Sequence, residues 1–547
     1  MTQSEALSLN ARLDALFSPF HSPDSPGLVV GVAYRGKLLY RRGIGMASLE
    51  HSVANTPATR MRIGSVSKHF ACLAAMLLVE DGRLDIDAPA RDYLPELPKR
   101  DVQPTLRQLM THTGGERCFL DLSMLTQGMA MIPDGAPLAM QARQSEANFT
   151  AGSRMMYTNG GYQVLSEIIE RVSGQPFETF LAERIFAPLE MRDTASVPND
   201  MTIQPRVATL HVPDAAGGWQ RGLFPVMRTR GEGAIVSTVD DMLRWTAHLR
   251  GEKFVGNTAT WREMLTPARF TNGASSTYSL GLMHTPYRGV SLLHHAGGVI
   301  GGACQMLTVP THALDVVIIT NGALVNPIDL SKRIVDIVLD GQLKDTDASE
   351  AVLPANAAER AAWLGIFHSR ETGAYYEIIE RDGVLHLVHF HFAGYPMPLA
   401  DSPLHPGTLM IDDGPEGPVH LRLHNDANRL DMVSCAGQET LSRLITPPPC
   451  FTDAAPGMPG VYISQDAGAR AVIAREGEAL TMHIQGEFGV ARYRLDPRAN
   501  DLFVFTPQEP RSMTFGAMRV SRHTDGRAAS FLLDTWRTRR LLFARAS

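Results

Sequence analysis

The sequence is short of the features that mark several large protein classes. Only five of its 547 residues are cysteine. Cys72, Cys118, Cys304, Cys435 and Cys450 are scattered, odd in number and form no C-x-x-C pair, which argues against a disulfide framework or zinc ribbon and for buried small hydrophobes. Charge of one sign is also missing: 51 Lys and Arg face 57 Asp and Glu, for a formal charge of -6. With no basic run long enough to follow a phosphate backbone, nucleic acid and anionic membrane are poor partners. No apolar stretch spans a bilayer. Residues 1–19 place Glu5, Asn10, Arg12 and Asp14 among leucines, without the basic start and apolar core of a secretory signal, so the expected location is cytoplasmic. No glycine-rich nucleotide-binding loop occurs in strand-helix context, and no cofactor is expected.

What remains is a globular composition, 44% hydrophobic and 20% charged, with 47 Gly and 35 Pro. At about 100 to 200 residues per domain, the length predicts two to four domains. The first 340 or so residues alternate strand-like and helix-like patterns. Leu28–Tyr34 and Lys37–Arg42 read as a hairpin broken at Arg35-Gly36, with helices over Phe70–Asp81 and Tyr162–Val172 ended by Gly82 and Gly174. Three β-rich runs, Val290–His294, Ala303–Val309 and Asp315–Thr320, precede a helix over Pro327–Leu339. This makes a mixed α/β domain with antiparallel neighbours. After a polar linker, Lys344 to Ser349, the texture becomes short alternating runs suited to an all-β sandwich or barrel. Gly365, Phe367, Ser369 and Gly373 recur 95 positions later as Gly460, Tyr462, Ser464 and Gly468, with the proline cluster from Pro447 to Pro459 between the copies. His386, His389 and His391 share one run, but alternation sets His386 opposite the other two, so no metal site is expected.

The strongest local signal is Gly64-Ser65-Val66-Ser67-Lys68, which leads into ten consecutive apolar residues, Phe70 to Val79. Such a run implies a helix buried all round. Residues three apart share a helix face, placing the Lys68 ammonium near the Ser65 hydroxyl, and a partly buried lysine favours the neutral amine that can take a serine proton. A capping serine beside a snorkelling lysine is the plain alternative, since S-x-x-K arises by chance about once in a chain of this length. Tyr157-Thr158-Asn159 offers a phenol to relay the proton and an amide to hold a carbonyl, or else a buried aromatic with a turn asparagine. His295-Ala296-Gly297-Gly298 ends a strand where small residues admit a substrate and a backbone N–H can face an oxyanion, or else it is a histidine before a glycine turn.

Taken in order, S-x-x-K, Y-x-N and H-x-G resemble the motifs of the serine β-lactamase and penicillin-binding-protein superfamily. Gly82 to Pro89, Leu109 to Gly115 and Gly233 to Asp241 look like loops of the same family. The resemblance implies an acyl-enzyme mechanism with Ser65 as nucleophile, Lys68 and Tyr157 as shared acid and base, and Asn159, His295, Gly297 and Gly298 at the substrate. The backbone N–H groups of Ser65 and Gly298 would form the oxyanion hole. His295 stands where many members carry lysine, which weakens recognition of a substrate carboxylate.

That histidine and the two β-rich units are most similar to bacterial D-stereospecific aminopeptidases. The resemblance implies a catalytic domain over 1–344 with a mixed α/β fold, an antiparallel β-barrel over 350–447 and a second over 455–547. A loop of the last barrel would reach the active site and select small peptides with a free amine; here that loop is Thr506 to Gly516. Thr514 stands where the family has an acid, so either Glu509 takes over as amine anchor or the specificity differs. The expected substrate is a small peptide or amide, a homodimer is left open, and no metal is expected. A carboxylesterase, a β-lactamase, a D,D-carboxypeptidase and a non-catalytic peptide-binding protein remain alternatives on the same scaffold.

Overall fold

In the computed structural model, the residues described are 3–546 apart from 215, 323–324, 345–356, 390–395, 403–404, 406, 412–416, 445–449, 451–455 and 513. Most of the first linker, the proline triplet and His391 fall outside them. The N-terminal region is built on a six-stranded antiparallel sheet in the order Met283–Tyr287, Val290–Val299, Gly302–Val309, Leu314–Thr320, Leu28–Tyr34 and Lys37–Ile44. The expected hairpin forms because Arg35 and Gly36 both take positive φ, 53° and 75°, which matches the twist of the strands they join.

Leu314–Thr320 is buried along its whole length, so its centre, Val316 to Ile319, reads as a continuous apolar run rather than an alternating one. Its pleat serves two cores. Val316 and Ile318 pack with Ile334 and Val335 of helix Pro327–Val338, while Val317 and Ile319 join Trp245 and the helix Lys68–Glu80 on the other face. Residues 68–78 of that helix are all buried, which is why the sequence shows no amphipathic stripe there. Gly82 and Gly174, at φ 67° and 74°, end their helices as expected.

The C-terminal region is all β. Strands from Gly460–Ser464 to Leu541–Arg545 form a closed antiparallel barrel. Ahead of it lies a nine-stranded antiparallel sheet whose two edges, Pro396–Pro398 and Ala400–Asp401, are successive pieces of one run bent at Leu399. The sheet therefore closes through the chain itself, and counting the bent run once makes eight strands.

The glycine repeat has a structural cause. Gly365 and Gly460 each open the first strand of a barrel at positive φ, 142° and 157°. An arginine of the closing strand occupies the place of the missing side chain and stacks on the aromatic two residues on, Arg443 over Phe367 at 4.6 Å and Arg545 over Tyr462 at 4.9 Å. Cysteine fits its expectation only in part: Cys72, Cys118 and Cys304 are buried, but Cys435 is half-buried and Cys450 exposed. Among the described residues no helix is long and apolar enough to cross a membrane.

Candidate active site

Ser65 lies in a short 3-10 turn, Gly64–Ser67, that runs straight into helix Lys68–Glu80, so its hydroxyl projects beside the first helical residue. The Lys68 ammonium nitrogen is fully buried and sits 3.0 Å from Ser65 Oγ, 2.9 Å from Asn159 Oδ1 and 2.8 Å from the backbone oxygen of Glu232. Two of these partners, an amide oxygen and a peptide oxygen, can only accept. A charged Lys68 donates to all three; a neutral one donates to Asn159 and Glu232 and turns its lone pair to the sole partner carrying a proton, Ser65. Burial and the nearby Arg537 guanidinium push Lys68 below the ordinary lysine range, while Glu232 pulls the other way.

Tyr157 is packed beside this pair, with the Lys68 nitrogen 4.8 Å from its ring centre. Its hydroxyl is buried without a regular hydrogen bond; burial raises its pKa and the neighbouring Ser65 hydroxyl opposes the rise. Asn159 precedes helix Gly160–Ser173, and its Oδ1 is the one engaged by Lys68.

His295 is held in a hydrogen-bond ladder whose direction can be read off. The Thr158 backbone N–H donates to His112 Nδ1, so the His112 proton is on Nε2, which lies 3.2 Å from the Tyr278 hydroxyl. That hydroxyl lies 3.0 Å from His295 Nε2, and His295 Nδ1 is 2.6 Å from the Ala296 oxygen, which can only accept. Protons therefore run from His112 to Tyr278 to His295 to the backbone with both imidazoles neutral, as their burial also favours. Both nitrogens of His295 are occupied, so it shapes the wall behind Tyr157 rather than offering a charge. Tyr278→Phe would leave two buried imidazole nitrogens, His112 Nε2 and His295 Nε2, unpaired, at a cost of about 1–3 kcal/mol each, so thermal denaturation should show a melting point several degrees lower. An unchanged melting point would remove the ladder from the account.

Gly297 and Gly298 run against the Ser65 turn. A side chain on Gly297 would overlap the Ile63 carbonyl and come within 3.1 Å of the Ser65 nitrogen, whereas one on Gly298 would meet nothing within 4 Å. Ser65, Asn159 and Gly298 open onto a cleft that is also lined by Arg62, Asp200 and Glu232. Arg62 and Asp200 neutralise each other at 2.7 Å.

Glu509 is bonded to Arg511 at 2.7 Å, is partly exposed and is not among the residues lining this cleft. The barrel segment packed on Tyr157 is instead the turn between strands Ala528–Asp534 and Leu541–Arg545. Trp536 stacks on the Tyr157 ring at 6.5 Å, and the Arg537 guanidinium lies 3.9 Å from the Trp536 ring centre and 5.2 Å from that of Tyr157. Asp121 ties the turn down by accepting from the Arg537 backbone N–H and the Thr535 hydroxyl. Because Arg537 disfavours a second positive charge on Lys68, Arg537→Met is expected to raise the lysine pKa. The acidic limb of a kcat/KM profile would then move to higher pH, and an unmoved limb would contradict the coupling.

Sequence reasoning missed His112, Tyr278, Glu232 and Arg537. His112 lies in one of the quoted loops, Leu109 to Gly115, while the other three come from irregular segments where no periodicity marks burial.

A Beta-lactamase family model matches residues 13–338. The D-aminopeptidase of Brucella canis is 27% identical over 364 residues, and that of Brucella anthropi 29% over 365, each match covering 64% of both chains. The match thus spans a little under two thirds of the curated relatives' own length. Among solved structures, the octameric penicillin-binding protein homologue from Pyrococcus abyssi shares the fold with a TM-score of 0.55 at 20% identity, over 80% of this chain and 99% of that one. The D-amino acid amidase from Ochrobactrum anthropi does so with a TM-score of 0.51 at 23% identity, over 62% of this chain and 100% of that one.

Proposed function

Because the chain belongs to the β-lactamase family, we propose that it is a serine hydrolase that removes N-terminal D-amino acids from small peptides, amides and esters. The observation that carries the chemistry is the set of contacts around Lys68, which leaves Ser65 as the one neighbour able to give the neutral amine a proton. Ser65 Oγ attacks the substrate carbonyl as its proton passes to Lys68, with Tyr157 sharing the transfer. The oxyanion is met by the backbone N–H groups of Ser65 and Gly298. The proton then goes to the leaving amine, the acyl group stays on Ser65, and water attacks that ester by the same route to release the amino acid. Asn159 and Gly297 border the substrate, and His295 acts through the wall it builds behind Tyr157.

Two observations support the aminopeptidase reading. The relatives at 27–29% identity are D-aminopeptidases. The third motif supplies a neutral, fully engaged histidine in place of a cation for a substrate carboxylate. One observation favours a second reading: the Arg537 guanidinium over Tyr157 is a cation that a D,D-carboxypeptidase or β-lactamase could use. Wild type and Ser65→Ala are to be compared on D- and L-alanine p-nitroanilide, p-nitrophenyl acetate, D-alanyl-D-alanine and a chromogenic cephalosporin. The expected result is D-selective release from the anilide that disappears in Ser65→Ala. Turnover of the acetate, dipeptide or cephalosporin alone would replace the reading with esterase, carboxypeptidase or β-lactamase.

A further inference from the structure

Of the two acidic side chains that line the cleft, Asp200 is paired with Arg62 and Glu232 makes no ion pair. Glu232 is buried, lines the cleft together with Ser65, Asn159 and Gly298, and leaves its Oε2 without a hydrogen bond; its Oε1 accepts from the Arg230 backbone N–H at 3.1 Å. A carboxyl group in this state is costly unless something positive or hydrogen-bonding meets it. The loop that carries it is fixed. The Gly231 N–H is held by Ser166 Oγ, the Ile235 N–H by Ser67 Oγ, and Arg230 is anchored to Glu170 on helix Gly160–Ser173. A side chain on Gly231 would press on Ala71 and Ser166, so the turn has little room to shift. Glu232 is therefore preorganised, and its own backbone oxygen touches Lys68.

We propose that Glu232 is the residue that recognises the substrate's α-ammonium, pairing it with its carboxyl in the cleft that Ser65 also lines. The inference rests on the reading of the site as one that acts on amino-acid derivatives. It moves amine recognition from the last barrel into the nucleophile's own domain. An α-ammonium lies one carbon from the scissile carbonyl, so its anchor must share the cavity with Ser65. Glu232 does, whereas Glu509 is paired with Arg511 elsewhere. The arriving ammonium adds a counter-charge to those of Lys68 and Arg230, and the pair excludes substrates that lack an amine.

The test uses two esters differing only in the amine, D-alanine methyl ester and methyl propionate, read as the ratio of their kcat/KM values in wild type and Glu232→Gln. The ratio should favour the alanine ester in wild type and fall by about 100-fold in the variant. A ratio that survives the substitution, whether or not both rates drop together, overturns the proposal. Should the variant not fold, competitive inhibition of wild type by D-alaninol and by its amine-free counterpart 1-propanol decides instead: tighter binding of the amine supports the anchor, and equal inhibition overturns it. If no anilide is cleaved at all, the peptidase reading fails while the ester ratio still judges Glu232.

Discussion

Ser65→Ala and Lys68→Met are each expected to lower kcat/KM by about 10⁴-fold or more, and the double variant to lower it no further. Groups that move one proton along one path act as a unit, so the second loss removes nothing the first had left working. The reason lies in the contacts of Lys68. With Asn159 Oδ1 and the Glu232 oxygen able only to accept, the neutral amine has one direction in which to receive a proton, along 3.0 Å to Ser65 Oγ. Lys68→Arg distinguishes this from a purely electrostatic role. Guanidinium stays charged throughout the working pH range and cannot take the proton, so it should be as inactive as methionine. Activity in Lys68→Arg within roughly tenfold of wild type would show that the lysine serves as a charge rather than a base. In wild type, kcat/KM should rise with pH along a limb well below the ordinary lysine range, because burial depresses the ammonium and only the neutral amine works.

The second large effect is expected at Gly297. An added methyl group would overlap the Ile63 carbonyl and crowd the Ser65 nitrogen, both backbone atoms that cannot rotate away. Overpacking of this kind costs about 1–3 kcal/mol, and a shift of about 1 Å in the Ser65 turn costs about 100-fold in rate. Gly297→Ala should therefore lose both melting temperature and kcat/KM. Gly298→Ala provides the contrast, since its methyl group meets nothing within 4 Å and its melting temperature should stay close to wild type. Equal melting points for the two variants would show that the strand yields more easily than its contacts suggest.

Legibility followed locality. The hairpin at Arg35-Gly36, the fully apolar helix after Lys68 and the capping glycines 82 and 174 are local consequences of turn chemistry and period, and the structure has them within a few residues of expectation. The spacing of Ser65 and Lys68 is equally local. The barrel repeat was visible as recurring glycines, although its cause, an arginine from the closing strand filling each glycine's space, spans about 80 residues and is invisible to a motif. Glu232 stands between two glycines and Tyr278 in an irregular stretch, so nothing in their neighbours announces burial. For the last barrel, sequence reasoning weighed Thr506 to Gly516 by length and proline content, which bear on how far a loop projects but not on what it meets. The contact with Tyr157 is made by Trp536 and Arg537, a short turn with no such signal.

That turn ties together distant parts of the reading frame. The nucleophile is encoded near codon 65, while one face of its tyrosine partner is covered by a ring encoded 379 codons beyond that tyrosine. A frameshift or nonsense change shortly before codon 536 would spare every residue of the three motifs and still strip Tyr157 of its cover. In genetic terms, lesions around codon 536 should score as active-site alleles, and suppressors of Tyr157 substitutions should be sought there as readily as around Ser65.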